Sequence, residues 1–335
     1  ASDRDQKWKG NVAATYTERY IKLKPLGTDR SIGLGLVKAI KKQKFDVLIL
    51  SGYASPSVMF AIAYCKRKKI PYYIESDGGF CKKDRFPKSL LKKFLLSKAK
   101  GHFVTCDEYK NYLLTLGVDE SRIHKYPFTS LKSEDILLKT VSAEEKKRLR
   151  EKLSMCEEKI VLAVGQFINR KGFDVLIRAT EKLSSDVGVY FVGGVPTEAY
   201  VALKKELGLN NIHFVGFKTK EELKEYYKAA DLFVLPTRED IWGLVINEAM
   251  ACGLPIVTTN KCIAGLELVK NGENGYLVEK NDPDGLADRI EDIIESEEVC
   301  SKMGEKSLAV IGDYTVENMV KKHMSFLIEK TKSSI

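Results

Sequence analysis

Short apolar runs alternate with amphipathic stretches along most of this chain. The first thirty residues are polar, with one strand-like piece at 20–23. From Ser31 the pattern becomes regular. Apolar positions at helical spacing predict helices over 31–43, 56–68, 87–99 and 107–116. Continuous apolar runs between them predict buried strands at 47–50, 72–74, 102–105 and 123–126. Residues 128–158 break the rhythm: they are charged and strand-poor, with an exposed helix at 144–153, and read as a linker. A second alternation follows. Strands are expected at 160–164, 187–192, 212–215, 232–235, 255–258 and 276–278, and helices at 173–183, 197–206, 220–229, 264–270, 283–295 and 298–309. An amphipathic helix over 315–330 ends the chain and can return to the first lobe. Strand–helix alternation of this kind predicts mostly parallel sheets covered on both faces. Two such α/β domains predict a ligand cleft at the carboxyl ends of the strands, between the lobes.

The most informative stretch is 237–257. The strand at 232–235 runs into it, Gly243 opens a helix, and Gly253 and Pro255 close that helix. Leu244, Val245, Ile246, Ala249, Met250 and Ala251 make the helix apolar nearly all round, which predicts burial. Glu248 lies among them, and an unpaired buried carboxylate is costly. Either a fixed polar partner holds it, or it lines a cleft where a ligand does. The amides after Gly243 lack intrahelical acceptors, and the helix dipole favours an anion there. Glycine lets a phosphate approach the backbone. A diphosphate on those amides and ribose hydroxyls on Glu248 would suit a nucleotide. The alternative is a buried helix whose one charge pairs with a neighbouring Lys or Arg.

Composition narrows the classes. At 335 residues the chain has room for two domains, and 44% hydrophobic with 30% charged residues is the balance of a water-soluble globular protein. No apolar run approaches the ~20 residues of a membrane span. Seven cysteines, without CxxC or Cys/His clusters, suggest reduced thiols in a cytoplasmic setting and no structural zinc. A net charge of +9 favours anionic partners. A nucleic acid is not expected, because no recognised motif or aromatic–basic platform accompanies the charge.

Other stretches carry possible chemistry. Val164, Gly165 and Gln166 lead from a strand into Arg170, Lys171 and Gly172. Cations in a loop there can neutralise a departing diphosphate, or form a solvated basic turn. Asp282 and Asp284 mimic a metal-binding DxD but precede a helix, which predicts capping. His102, His124, His213 and His323 are dispersed and read as structural. The stretch 87–100 combines five lysines with four leucines and a phenylalanine. It is either a helix that docks on anionic lipid or a surface helix whose leucines cover the sheet.

The second half, from about 159 to 295, resembles the retaining GT-B glycosyltransferases of the glycosyltransferase family 4 (glycosyl transferases group 1) type. The resemblance rests on the 164–172 loop, Gly216 and Phe217 after a strand, residues 230–236, the 240–255 stretch, and 271–278. The first half matches only in βα layout. The resemblance implies a GT-B fold, two Rossmann-like doubly wound domains facing across a cleft. These would be 1–140, on the acceptor side with helix 315–335 packing back on it, and 141–314, binding the nucleotide-sugar. It also implies a first domain lacking its first βαβ unit.

By the same resemblance, Glu248 would bind ribose, Asp240 (or the adjacent Glu239) the donor sugar, and Gly243, Leu244 and Val245 the diphosphate. Lys171 would neutralise the leaving group with Arg170. Gly165 and Gln166 would border it, with Gln166 standing where the family often has Arg. Backbone near Phe217 would contact the base. In the first domain Ser76 or Asp77 is nearest to a residue touching the reacting sugar, and 52–55 can help bind acceptor.

The implied reaction moves a hexose from a UDP- or GDP-sugar to a hydroxyl with retention, in polysaccharide or glycolipid biosynthesis. It proceeds without protein nucleophile, metal or other cofactor. The acceptor would be a saccharide or lipid-linked, with the enzyme cytoplasmic or peripheral on the inner face of the membrane. The rival reading is a nucleotide-sugar-binding pseudo-enzyme or scaffold without turnover.

Overall fold

A computed structural model describes residues 20–26, 30–80 and 86–332. These residues divide into two compact units, one reaching to Lys125 and the other, apart from Gly78–Phe80, beginning at Tyr126.

In the first unit, β1 (Lys24–Pro25) and β2 (Ser31–Ile32) form a small antiparallel pair. Then follow α1 (Gly35–Lys42), β3 (Ile49–Ser51), α2 (Pro56–Lys68), β4 (Tyr73–Ser76), α3 (Phe86–Leu96), β5 (Gly101–Val104), α4 (Asp107–Thr115) and β6 (Ile123–Lys125). The four later strands make a parallel sheet in the order β3-β4-β5-β6. Residues 20–23 are not the strand their apolar positions suggest. Ile21 and Leu23 instead lie against Gly33 and Gly35 at the entry to α1, so close that a Cβ on Gly35 would come 2.4 Å from Ile21. Close packing on the helix entry takes those side chains out of any ladder.

The second unit opens with α5 (Ala143–Leu153) and β7 (Lys159–Val164). It continues through α6 (Phe173–Thr180), β8 (Val187–Val192), α7 (Glu198–Glu206), β9 (Ile212–Val215), α8 (Lys220–Ala229) and β10 (Leu232–Leu235). Then come α9 (Leu244–Ala251), β11 (Ile256–Thr259), α10 (Ile263–Leu268), β12 (Gly275–Val278), α11 (Pro283–Ile294), α12 (Glu297–Ile311) and α13 (Val316–Lys332). Six parallel strands run in the order β12-β11-β10-β7-β8-β9. Every residue of β8, β10 and β11 is buried, as a sheet covered by helices on both faces requires. α13 begins with Val316 N donating to Leu131 O at 2.7 Å and Glu317 accepting from Ser133, and further along His323 packs edge-on against Tyr126. The parallel four-stranded sheet of the first unit and the parallel six-stranded sheet of the second, each with its helices, have the Rossmann-like α/β arrangement expected from the sequence.

Candidate functional site

Because the six strands of the second unit are parallel, the loops after β7, β9, β10 and β11 all leave the same edge of the sheet. β10 lies between β7 and β11, so the loops after those three strands are neighbours. They are tied together by specific bonds. Arg238 N and Thr237 Oγ1 both donate to Arg170 O at 2.8 Å. The Arg238 guanidinium spans Asp174 with two bonds of 2.9 and 2.6 Å and donates to Asn169 O and Asn281 Oδ1, each at 2.7 Å. Gly172, at φ +66°, permits this approach: a Cβ there would sit 2.1 Å from Pro236 O. On the other side Asp240 N donates to Lys261 O at 2.8 Å and Ile263 N to Asp240 O at 3.2 Å, a parallel bridge to the loop after β11.

This scaffold brings three charges together. Lys171 Nζ lies 2.7 Å from Asp240 Oδ2, and Arg170 lies 3.0 Å from Oδ1. Asp240 is buried, and each of its oxygens meets a cation. Of the two acids left open by the sequence, Asp240 is thus the one turned to the cations. The Glu239 side chain is exposed, and its carbonyl accepts from Arg170 at 2.9 Å. Gly165 borders the group, its Cα side facing the stem of Lys171. Gln166 is half-buried on the same loop, its carbonyl accepting from Ile168 N at 2.8 Å.

Gly243 begins α9 in the left-handed region, at φ +98°, and no side chain caps the helix. A Cβ on Gly243 would lie 2.9 Å from Cys262 Sγ and 3.8 Å from the Asp240 carboxyl carbon, so the helix start and the charged group adjoin. Leu244 and Val245 are half-buried in the first turn. The amides of that turn and the dipole behind them attract an anion. Burial pushes the Cys262 thiol up to about 12, and it donates to Trp242 O rather than offering a thiolate.

Glu248 follows on the same helix. The Tyr227 hydroxyl of α8 donates to its Oε2 at 2.9 Å. Burial pushes the Glu248 carboxyl above the usual carboxylate range, and the Tyr227 bond and the charges of Lys220 and Lys171 only partly offset this. Burial and Glu248 together raise the Tyr227 hydroxyl well above its ordinary value. Of the two readings of Glu248 left open by the sequence, the structure shows the fixed polar partner, and that partner engages one of two oxygens.

Phe217 lies past the end of β9, at the far edge of the sheet, and Asp77 is exposed on the loop after β4 in the first unit. Lys171, Arg170, Asp240, Gly165 and Gly243 are the predicted residues that converge. Arg238 and Asp174 brace their loops, and Tyr227 holds Glu248, without having been singled out. Paired Tyr226 and Tyr227 near the end of α8 are a usable signal for Tyr227, since a buried phenol needs an acceptor. Asp282 accepts from Gly285 N at 3.0 Å as the cap of α11, as its position predicts. His102 Nε2 donates to Leu96 O in the core, and His213 stacks on Tyr190 beside Glu157. Among the described residues no group of three His, Cys, Asp or Glu side chains is placed to hold a metal, and no helix is long and apolar enough to cross a membrane.

Comparison with known proteins shows what this chain is similar to. Residues 145–309 match the family Glycosyl transferases group 1. The D-inositol 3-phosphate glycosyltransferase of Corynebacterium diphtheriae is 31% identical over 169 residues, 47% of this chain and 39% of that protein. The lipopolysaccharide core biosynthesis glycosyltransferase LpsE of Rhizobium meliloti is 28% identical over 175 residues, 51% of this chain and 50% of its own. The chain thus spans about half or less of the length of these curated relatives. The structure of Anabaena Alr3699/HepE in complex with UDP superposes with a TM-score of 0.73 at 19% identity, covering 90% of this chain and 82% of that one. Residues 145–309 thus carry the similarity to the glycosyl transferases group 1 family, and the fold that carries them is that of the GT-B glycosyltransferases.

Proposed function

We propose that this protein transfers a hexose from a nucleotide-sugar, a UDP- or GDP-sugar, to a hydroxyl acceptor with retention at the anomeric carbon. The observation that carries the reading is the Lys171–Asp240–Arg170 group set against the uncapped start of α9. A diphosphate seated on the amides of Gly243, Leu244 and Val245 would draw Lys171 and Arg170 away from Asp240. It would thereby free that carboxylate to accept from hydroxyls of the donor sugar. Glu248, with one oxygen on Tyr227, would take the ribose hydroxyls, and backbone near Phe217 the base. As the bond to the anomeric carbon breaks, negative charge grows on the leaving diphosphate, where the helix start and the two cations drawn from Asp240 would stabilise it. Front-face attack lets the departing phosphate take the acceptor proton, so the protein's task is placement and charge stabilisation. The reading uses no metal. The second unit is the donor side, and the first, with Asp77, the acceptor side.

HepE has been solved with UDP-glucose as well as UDP, which supports a nucleotide-sugar donor. The lipopolysaccharide core and D-inositol 3-phosphate relatives support a saccharide or lipid-linked acceptor in polysaccharide or glycolipid synthesis, and peripheral contact at a membrane belongs to the same proposal. Thermal melts with UDP, GDP, ADP and their sugars test the donor assignment. A ligand at ~100 times its dissociation constant stabilises the native state by about 2.7 kcal/mol. The expected result is a shift for one nucleotide that disappears in Glu248→Ala. No shift for any nucleotide on the folded chain overturns the reading. Release of labelled sugar from the responding donor then separates an enzyme from a binding protein without turnover, and proton NMR of the product reports the anomeric configuration.

A further inference from the structure

Helix α3 of the first unit carries large apolar residues on its outside. Leu95 and Leu96 turn inward and are buried. Phe86, Leu90, Leu91 and Phe94 do not: they are 77%, 52%, 46% and 53% exposed. Spacing of four and eight residues places Phe86, Leu90 and Phe94 on one line along the helix, with Leu91 beside it. The two readings of this stretch are thereby divided by position, since only its last leucines cover the sheet. Four exposed large side chains in one ridge are more than isolated surface hydrophobics, and such ridges mark contact surfaces.

The charge around the ridge is one-sided. Residues 20–125 contain 22 Lys and Arg against 9 Asp and Glu, a net +13, whereas the whole chain has +9. The rest of the molecule is therefore net acidic. Lys66 of α2 stands over the Phe94 ring, 3.3 Å from its centroid, and its ammonium reaches Phe94 O, so a cation is fixed at the rim of the ridge. Burial, with a smaller contribution from Lys98, lowers the Lys66 pKa. Lys93 of the same helix is exposed, its ammonium end near Gly117.

We infer that the outer face of α3 docks on an anionic lipid bilayer, with Phe86, Leu90, Leu91 and Phe94 entering the headgroup–acyl boundary while the basic first unit supplies attraction. Neither property alone selects this partner. A basic surface without apolar residues suits nucleic acid, and an apolar ridge without charge suits another protein. Aromatic and leucine side chains backed by lysines are the interfacial combination. The inference deepens the membrane-contact part of the proposed function and needs nothing from the donor assignment, so the two stand or fall by different measurements.

The test is sedimentation of the full chain with vesicles of phosphatidylcholine, with and without phosphatidylglycerol, at low and high salt. Binding is expected with phosphatidylglycerol at low salt, weakened by salt, and absent with phosphatidylcholine alone. Leu90→Glu with Phe94→Glu should lower partitioning about tenfold or more, since it removes the inserted residues and adds repulsion. Because both side chains are exposed, the double variant should melt at the parent's temperature and respond to nucleotide as the parent does. Lys93→Glu with Lys98→Glu, which leaves the ridge intact, should also weaken binding. Absence of binding at low salt, equal binding to both vesicle types, or a double variant that pellets like the parent overturns the inference. Retention of an RNA or DNA oligonucleotide that ignores the Leu90 and Phe94 changes, without vesicle binding, assigns the charge to nucleic acid instead.

Discussion

Tyr227→Phe isolates one atom of the candidate site. It keeps the ring that packs against Phe233, 5.8 Å between centroids, and removes only the hydroxyl that donates to Glu248. A hydrogen bond to a charged group contributes about 1.5–3 kcal/mol. Among the interactions around Glu248, this bond is the strongest opposing the cost of burying its charge. Without it the carboxyl keeps its proton to higher pH, and Oε2 is no longer held in place for a ligand. If nucleotide binding needs the ionised, oriented carboxylate, the lower end of that range gives about tenfold weaker binding near neutrality. The pH profile supplies the sign. Because burial raises the Glu248 pKa, affinity in the parent should fall as pH drops through that raised value. In Tyr227→Phe the fall should begin at higher pH, and in Glu248→Gln it should vanish. Calorimetric titration of the nucleotide that gives a thermal shift, repeated across pH on the three proteins, measures this directly. In turnover the effect should sit in KM for the donor, with kcat little changed, because Tyr227 positions a binding group and touches no reacting atom. A Tyr227→Phe variant with the parent's affinity and pH profile, alongside a weakened Glu248→Ala, would refute the positioning role while leaving Glu248 in place.

Asp240→Asn should release Lys171 and Arg170, so the free nucleoside diphosphate should bind more tightly while sugar transfer falls; tighter binding with undiminished transfer would contradict the role given to Asp240. Gly243→Ala places a methyl in the left-handed region and 2.9 Å from Cys262 Sγ, and should lower stability by about 1–3 kcal/mol together with nucleotide affinity, as read by denaturant melts. His102 is buried on Leu96 O with its pKa pushed down to about 4 by burial, so the folded protein resists the proton that the unfolded chain accepts near 6.5. Its contribution is full above pH 6.5 and is lost as the pH falls towards 4, about 3 kcal/mol in all, and His102→Asn should flatten that slope in melts followed against pH.

Much of the architecture was legible because parallel strands and their helices leave strong local marks. The limits of α2, β8, β9, α8 and β10 coincide with the apolar pattern, since continuous burial leaves little freedom in where those runs begin and end. The 20–23 stretch misled because its two apolar side chains serve a helix entry rather than a ladder. Within the site, Gly243, Lys171 and Asp240 were legible from one dense motif and one loop. Their mutual pairing was not, because it depends on β10 lying between β7 and β11, an order that no spacing along the chain encodes. Tyr227 escaped for the same reason: it reaches Glu248 from a helix twenty-one residues earlier. Of the outward residues of α3, Leu90, Leu91 and Phe94 were visible in the 87–100 stretch, but which of its apolar residues faced water required the helix to be placed on its sheet.

The bridge between Asp240 and the 261–263 backbone has a consequence for how a ligand would be received. Asp240 is on a loop, yet its N–H and carbonyl are both engaged as if the sheet had been lengthened by one rung. The conformational entropy of that segment is therefore surrendered when the protein folds, not when a ligand arrives. Association at this point should resemble a key entering a rigid lock, with little of the large unfavourable entropy that marks a segment ordering around its guest. The same rigidity sets a geometric demand: a donor whose hydroxyls do not meet a fixed carboxylate cannot be met halfway.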